Sequence, residues 1–476
     1  DQEDGEWVYL DRNGDKVAAE WKKSNGQWYY LDDDGYMAKD QLIEYGNYKY
    51  YVDANGVKVT NAWVSMDNDD LLDDEDVSTV WYYFDSKGKA VGCNTDEGAI
   101  KKLNYGDGQS AYFIFNNEGV MLSGWQRWSK TGEDQKLYYL GDENEGWART
   151  GWQYLDIEGE DEIFGVDEEG NPFESENWFW FDGNGRAKTN GTKTIGGRVY
   201  AFNEVGIMQD LWVYSTNSNL TNTNGSSSVA SSAAYYKEDQ GDRDKNWIYA
   251  YAKTGYEDYS EDPYWFYLDS KGRPFRADQD AIDANKLEAI GTAERLDDSA
   301  NDPATCDEVA AKAIKSKTYL FNDKGVMLTG LYELEGVHKG TAEKAMETGI
   351  YYFTEEEGSA EGQMVTNKKI TIDVNGEDET YYFDKTGKAY TNTLISGSLY
   401  GGDGALVTDH GDGSTYETMT ITDAVVDKSG DVVIEANTTI LVNGNGKVKQ
   451  SGTVTDINGT KYKVTKYVAV EVEDNN

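Results

Sequence analysis

The residues with most chemistry to offer are aromatic. The 476-residue chain holds 14 Trp, 36 Tyr and 13 Phe. An aromatic face attracts a cation through its ring quadrupole. It also stacks on the apolar face of a sugar when nearby polar groups satisfy the hydroxyls. Rings alone do not choose between the two. Catalytic groups are scarce: the two His, His338 and His410, stand near no nucleophile motif. Paired carboxylates carry little information among 88 acidic residues, so no enzyme activity is expected. Cys93 and Cys306 form no CxxC and read as incidental thiols, with a disulfide between them left open. The turns Asp11 to Asp15 and Asp182 to Gly185 faintly resemble the start of a calcium loop. They lack the acidic residue that such a loop needs at its twelfth position and read as hairpin turns. No cofactor is expected beyond weak divalent-cation binding by acidic loops such as Asp67 to Asp76.

Composition narrows the class. A net charge of −44 argues against nucleic acid or an anionic membrane as partner, since both need a positive footprint. The 13% aromatic content is too high for a disordered acidic chain, and 51 Gly against 4 Pro is too Gly-rich for a helical one. No apolar run approaches the roughly 18 residues of a membrane span. Patterned sequence starts at Trp7 without a signal peptide, and a removed leader is the expectation for an exported chain.

One pattern recurs along the chain. Two to four aromatic or apolar residues precede Asp or Asn, then come two or three polar residues, a Gly and a short apolar segment. It reads WVYLDRNGDKVAAEW at Trp7, WYYLDDDGYMAKDQL at Trp28, YYVDANGVKVTNAW at Tyr50 and WYYFDSKGKAVG at Trp81. It returns at Tyr112, Trp178, Val199, Trp265, Tyr319, Tyr351 and Tyr381, with a degenerate copy at Leu137. Each copy reads as one β-hairpin, with Asp32 to Gly35 as the turn and Met37 on the second strand. A lone hairpin is marginal in water, so the copies must stack. The expected fold is all-β, an elongated solenoid of stacked hairpin repeats of about 20 residues with loop insertions.

The segment from Glu20 to Met37, EWKKSNGQWYYLDDDGYM, resembles the cell-wall-binding repeat of Gram-positive surface proteins, also called the choline-binding repeat. Related repeats occur in glucan-binding domains and in receptor-binding arms of clostridial toxins. Gly124-Trp125, Gly151-Trp152 and Val326 to Gly330 match further parts of the pattern. The resemblance covers most of residues 5–397.

In that family a ligand sits between consecutive hairpins. It is held by the Trp of a GW position, the first Trp of WYY and a Tyr of the next hairpin. The resemblance thus implies a first cage of Trp21, Trp28 and Tyr51, with Trp7 heading the preceding hairpin. Trp63 with Trp81, Trp125 with Trp128 and Tyr139, and Trp152 with Trp178 are the further candidates. The insertion 65–79 is expected to separate Trp63 from Trp81. Lys49, Leu137, Val199, Thr318, Ile350 and Thr380 stand where the hairpin Trp belongs. No Trp follows Trp265, which points to ligand binding by the N-terminal part.

Four regions follow from the breaks in the pattern. Residues 1–214 form a Trp-rich hairpin arm, and 215–262 an irregular Ser/Asn-rich insertion or hinge. Residues 263–397 form a second hairpin arm with a short helix near 300–316, and 398–476 divergent β repeats acting as a cap. The function implied is that of a non-catalytic, secreted or cell-surface protein binding cell-wall polysaccharide, choline-bearing teichoic acid or glucan. The alternative is a structural, fibre-forming or homo-oligomeric surface protein whose repeats mainly build length.

Overall fold

The computed structural model describes residues 2–3, 5–68, 78–106, 108–166, 170–216, 219–222, 233–252, 262–277, 291–297, 305–337, 346–408 and 413–472. His338, His410 and most of the Asp67 to Asp76 loop lie outside them. Apart from one helical turn, Asp161–Phe164, the described regular structure is strand.

The hairpins are paired differently from the sequence reading. Glu20–Ser24 pairs with Gln27–Leu31 in register Glu20↔Leu31 to Ser24↔Gln27. The turn is Asn25-Gly26, both at positive φ (48° and 86°), the geometry whose twist matches a two-residue hairpin. Asp32 to Gly35 is a second turn that closes only the single bridge Leu31↔Met37. There the Asp32 carboxylate accepts the Tyr36 N–H at 2.7 Å. Gly35 (φ 77°) is needed twice over, because a Cβ there would also stand 2.9 Å from the Val17 carbonyl of the preceding repeat.

The second turn links one hairpin to the last. The residue two places after its Gly donates its backbone N–H to the carbonyl at the Trp place of the preceding hairpin. The bonds are Met37 to Trp7, Lys58 to Trp28, Ala90 to Lys49, Met121 to Trp81, Ala148 to Tyr112 and Ala187 to Leu137, all at 2.8–2.9 Å. Met364 to Thr318, Ala389 to Ile350 and Leu406 to Thr380 repeat the bond at 2.8 Å. Buried rings fill the space between hairpins: Phe84, Phe115, Phe202, Phe321 and Phe383 are fully enclosed.

The chain divides into two units, Asp1–Asn222 with Tyr236–Asp242, and Thr223–Tyr235 with Arg243–Asn476. The first is a run of hairpins. The second adds a six-stranded sheet that includes Thr305–Ile314, Gly291–Arg295 and Gly330–Glu335. Arg295 is buried there against Asp297 (Nε to Oδ1 2.7 Å), and Asp297 Oδ2 accepts the Leu331 N–H at 2.9 Å. The helix expected near 300–316 is instead the strand Thr305–Ile314, paired with Lys317–Asn322. Ala310 and Ala311 have no exposed surface. Alanine's helix propensity is a weak preference, outweighed here by a two-sided burial that leaves room for small side chains. Cys93 is a free, buried thiol, its Sγ donating to the Glu118 carbonyl at 3.2 Å.

Burial pushes the phenols of Tyr351 and Tyr352 from 10.0 up to about 12, and those of Tyr82 and Tyr381 upward as well. A group whose folded value is raised keeps its proton in the folded state after the unfolded chain has lost it. Its stabilising contribution is complete below the unfolded value and is lost as pH rises through the folded one. Melting temperature should therefore fall steeply between pH 10 and 12, as followed by circular dichroism. A flat profile across that window would contradict these burials.

Candidate functional site: aromatic cages between hairpins

Strand alternation decides which rings meet. Across a hairpin, Trp21 pairs with Tyr30 and Lys23 with Trp28, so Trp21, Trp28 and Tyr30 share one face. The next hairpin turns toward that face the residue immediately after its own Trp place. Trp21 therefore lies 5.2 Å from Tyr30 and 5.4 Å from Tyr50, ring centre to ring centre. The third wall is Tyr50 and not Tyr51. Tyr51 points to the opposite face, stacks on Phe84 at 6.1 Å and donates its hydroxyl to the Asp40 carboxylate. Trp7 is 49% exposed, and no ring lies against it among the described residues.

The same geometry recurs down the chain. Trp63 packs on Tyr83 (5.2 Å) and Phe113 (4.8 Å), in a cluster with Trp81 and Met121. The insertion does not part Trp63 from Trp81, because the strand Ala62–Asp67 pairs along its whole length with Thr79–Phe84, ending at Asp67↔Thr79. Trp125 meets Tyr139 at 4.9 Å and Phe179 at 4.7 Å. This cage is closed: Phe164, from the helical turn, stands edge-on to Trp125 at 4.9 Å, Leu137 replaces the second Trp, and Trp125 is 5% exposed. Trp128 takes no part. Three residues from Trp125 on one strand, it faces the other way, packs with Ile100 and Tyr112 and donates Nε1–H to the Glu97 carbonyl.

Two cages are open and match each other closely. Trp152 lies 6.2 Å from Trp178 at 86° and 4.7 Å from Tyr200 at 67°. Trp247 lies 6.2 Å from Trp265 at 90° and 4.8 Å from Tyr319 at 62°. Each has a fourth ring that the sequence reading missed. Tyr154 lies 5.1 Å from Trp178 at 42°, and Tyr249 lies 5.0 Å from Trp265 at 43°. Both fourth rings are cross-strand partners of the second Trp, and both are more than half exposed. Trp265 Nε1 donates to the Glu361 carboxylate at 3.0 Å. The Trp247 cage belongs to the second unit, and its third wall, Tyr319, comes from beyond the last Trp of the chain. The segment Asn246–Tyr251, inside the insertion and read from sequence as a degenerate strand at Trp247 to Tyr251, is a full strand paired with Pro263–Leu268.

The first cage already holds a cation. Lys58 Nζ stands 5.2 Å from the Trp21 ring, 5.3 Å from Trp28 and 5.7 Å from Tyr50. Burial lowers its pKa, partly offset by Asp85. Elsewhere lysines stand over the ring two places after the Trp place: Lys101 over Tyr83, Lys193 over Trp180 and Lys312 over Tyr267. Among the described residues no cationic side chain stands over Trp152, Trp178 or Tyr200.

Residues 18–63 match the choline-binding repeat family, and residues 77–90 match the cell wall binding repeat family. Residues 18–63 and 77–90 are therefore the stretches that carry repeats of these families. No curated protein matches the sequence. Among solved structures, CbpJ from Streptococcus pneumoniae TIGR4 is 17% identical over 82% of this chain and 99% of its own, at a TM-score of 0.32. Choline binding protein F from Streptococcus pneumoniae is 18% identical over 85% of this chain and 97% of its own, at 0.24. The autolysin LytC from the same organism, in complex with a synthetic peptidoglycan ligand, is 14% identical over 61% of this chain and 55% of its own, at 0.29.

Proposed function

We propose that the chain is a non-catalytic binding module that holds choline-bearing polymer of the bacterial cell wall at the cell surface. The binding sites are the open cages Trp152–Tyr154–Trp178–Tyr200 and Trp247–Tyr249–Trp265–Tyr319. The observation that carries this reading is their recurrence. Two sets of four rings, taken from different units and interrupted by different insertions, agree within 0.1 Å in each centre-to-centre distance and within 5° in each angle. Packing alone does not require such agreement, since the Trp125 cage uses the same fold and fills itself with Phe164. A quaternary ammonium suits the walls because it has no hydrogen-bond donors to satisfy and is attracted to ring faces. The charge of −44 favours a cation over an anion.

Calorimetry with choline, and separately with glucan and uncharged wall oligosaccharides, tests this. Saturable heat from choline and none from the sugars is the expected result. Heat from a sugar alone would move the assignment to glucan, and heat from neither would leave the hairpins as scaffold.

A further inference from the structure

We propose that Lys58 is a built-in occupant of the Trp21–Trp28–Tyr50 cage and shuts it to external cations. The proposal rests on the reading above, that open cages take a quaternary ammonium, and adds that this one is closed by the chain itself.

The backbone fixes the lysine in place. Its N–H bonds the Trp28 carbonyl at 2.8 Å, so the side chain leaves the backbone at the cage. Its stem runs beneath the turn of the following repeat, where a Cβ on Gly88 would lie 3.0 Å from Lys58 Cδ and 3.2 Å from Cγ. The ammonium then lies within 6 Å of three ring centres, the range in which the attraction is appreciable. Lys58 makes no ion pair among the described residues; apart from the charge of Asp85, the rings are the partners its ammonium has there.

The same place in other repeats shows what the lysine replaces. By register, the residue that bridges back to the end of the aromatic strand is Lys58 on Val52, Met121 on Phe115, Met208 on Phe202 and Met327 on Phe321. Met121 and Met327 pack in the clusters that hold their cage rings. Each of these methionines also runs under a turn glycine of the following repeat, as Lys58 does: Met121 under Gly146, Met208 under Gly241 and Met327 under Gly362. A neutral, flexible thioether at this place leaves the cation position to a ligand, whereas a tethered ammonium fills it. Because the tether makes occupancy intramolecular, an external cation must displace a group held at high effective concentration.

The test pairs nuclear magnetic resonance of selectively labelled lysine with choline calorimetry, on the full chain and on Lys58→Met. Methionine is the residue that sister repeats carry here, so the fold should be kept. Lys58 Hε resonances should be shifted upfield by the ring currents, and the shift should be lost in Trp28→Ala. Lys58→Met should bind one more choline than the wild type. An unshifted Lys58 would overturn the proposal. A shifted Lys58 with no extra site in Lys58→Met, while the wild type binds choline elsewhere, would equally overturn closure by the lysine. If the shift is present and neither protein binds choline, the choline reading of the open cages fails, while Lys58 is still supported as occupant.

Discussion

Alanine at Trp178 or at Trp265 weakens choline binding at the cage concerned by roughly 10- to 30-fold, and the double variant loses most of the titratable heat. A desolvated cation–π contact is worth about 2 kcal/mol, and about 1.4 kcal/mol is tenfold in affinity. Each of these indoles supplies a wall and orders a fourth ring, Tyr154 or Tyr249. The fold should tolerate the change, because Trp178 is 44% exposed and a repeat array passes a local loss mainly to its nearest neighbours. Calorimetry on the two single variants checks this, with circular dichroism to confirm the strand content. Binding unchanged by both substitutions would remove the cages from the account.

The second large effect is on stability. Phe353 has no exposed surface and packs with Tyr332, Leu328 and Tyr351 in the second unit. Phe353→Ala should cost about 3–5 kcal/mol, the scale of a buried ring exchanged for a cavity. Stability in a stacked array is close to a sum of local terms. Calorimetric melting should therefore show the transition of the second unit lowered and that of the first retained. Equal lowering of every transition would show that the chain melts as one cooperative body and contradict the repeat description.

Much of this was legible in the sequence because the repeat is redundant. A dozen copies of an aromatic or apolar run ahead of a polar turn ending in Gly, most often Asp-x-x-Gly or Asn-x-x-Gly, point to stacked hairpins. The partners within a hairpin were less legible, because two turn signals alternate. Asn25-Gly26 and Asp32 to Gly35 both read as hairpin turns, but only the first is flanked by two strands that pair along their length. The second joins one hairpin to the next.

The cage suffered from the same one-residue ambiguity. Tyr50 and Tyr51 are both Tyr, and only the alternation of faces assigns Tyr50 to Trp21 and Tyr51 to Phe84. Trp247 and Tyr319 are 72 residues apart (319 − 247), and the inserted residues hide their relation. The signal was available in the parity. In each open cage the third wall follows the Trp place of its own hairpin by one residue, as Tyr200 follows Val199 and Tyr319 follows Thr318. Lys58 was hidden for a different reason, since nothing in its local sequence separates a solvated lysine from one aimed at two rings of the preceding hairpin and one of its own.

The most direct test is a crystal structure of the chain grown in choline. The account predicts a trimethylammonium group between Trp152, Trp178 and Tyr200 and another between Trp247, Trp265 and Tyr319. It also predicts the Trp21–Trp28–Tyr50 cage filled by Lys58 and the Trp125 cage filled by Phe164. Choline bound at Trp21 with Lys58 turned away, or both open cages empty at saturating choline, would contradict it.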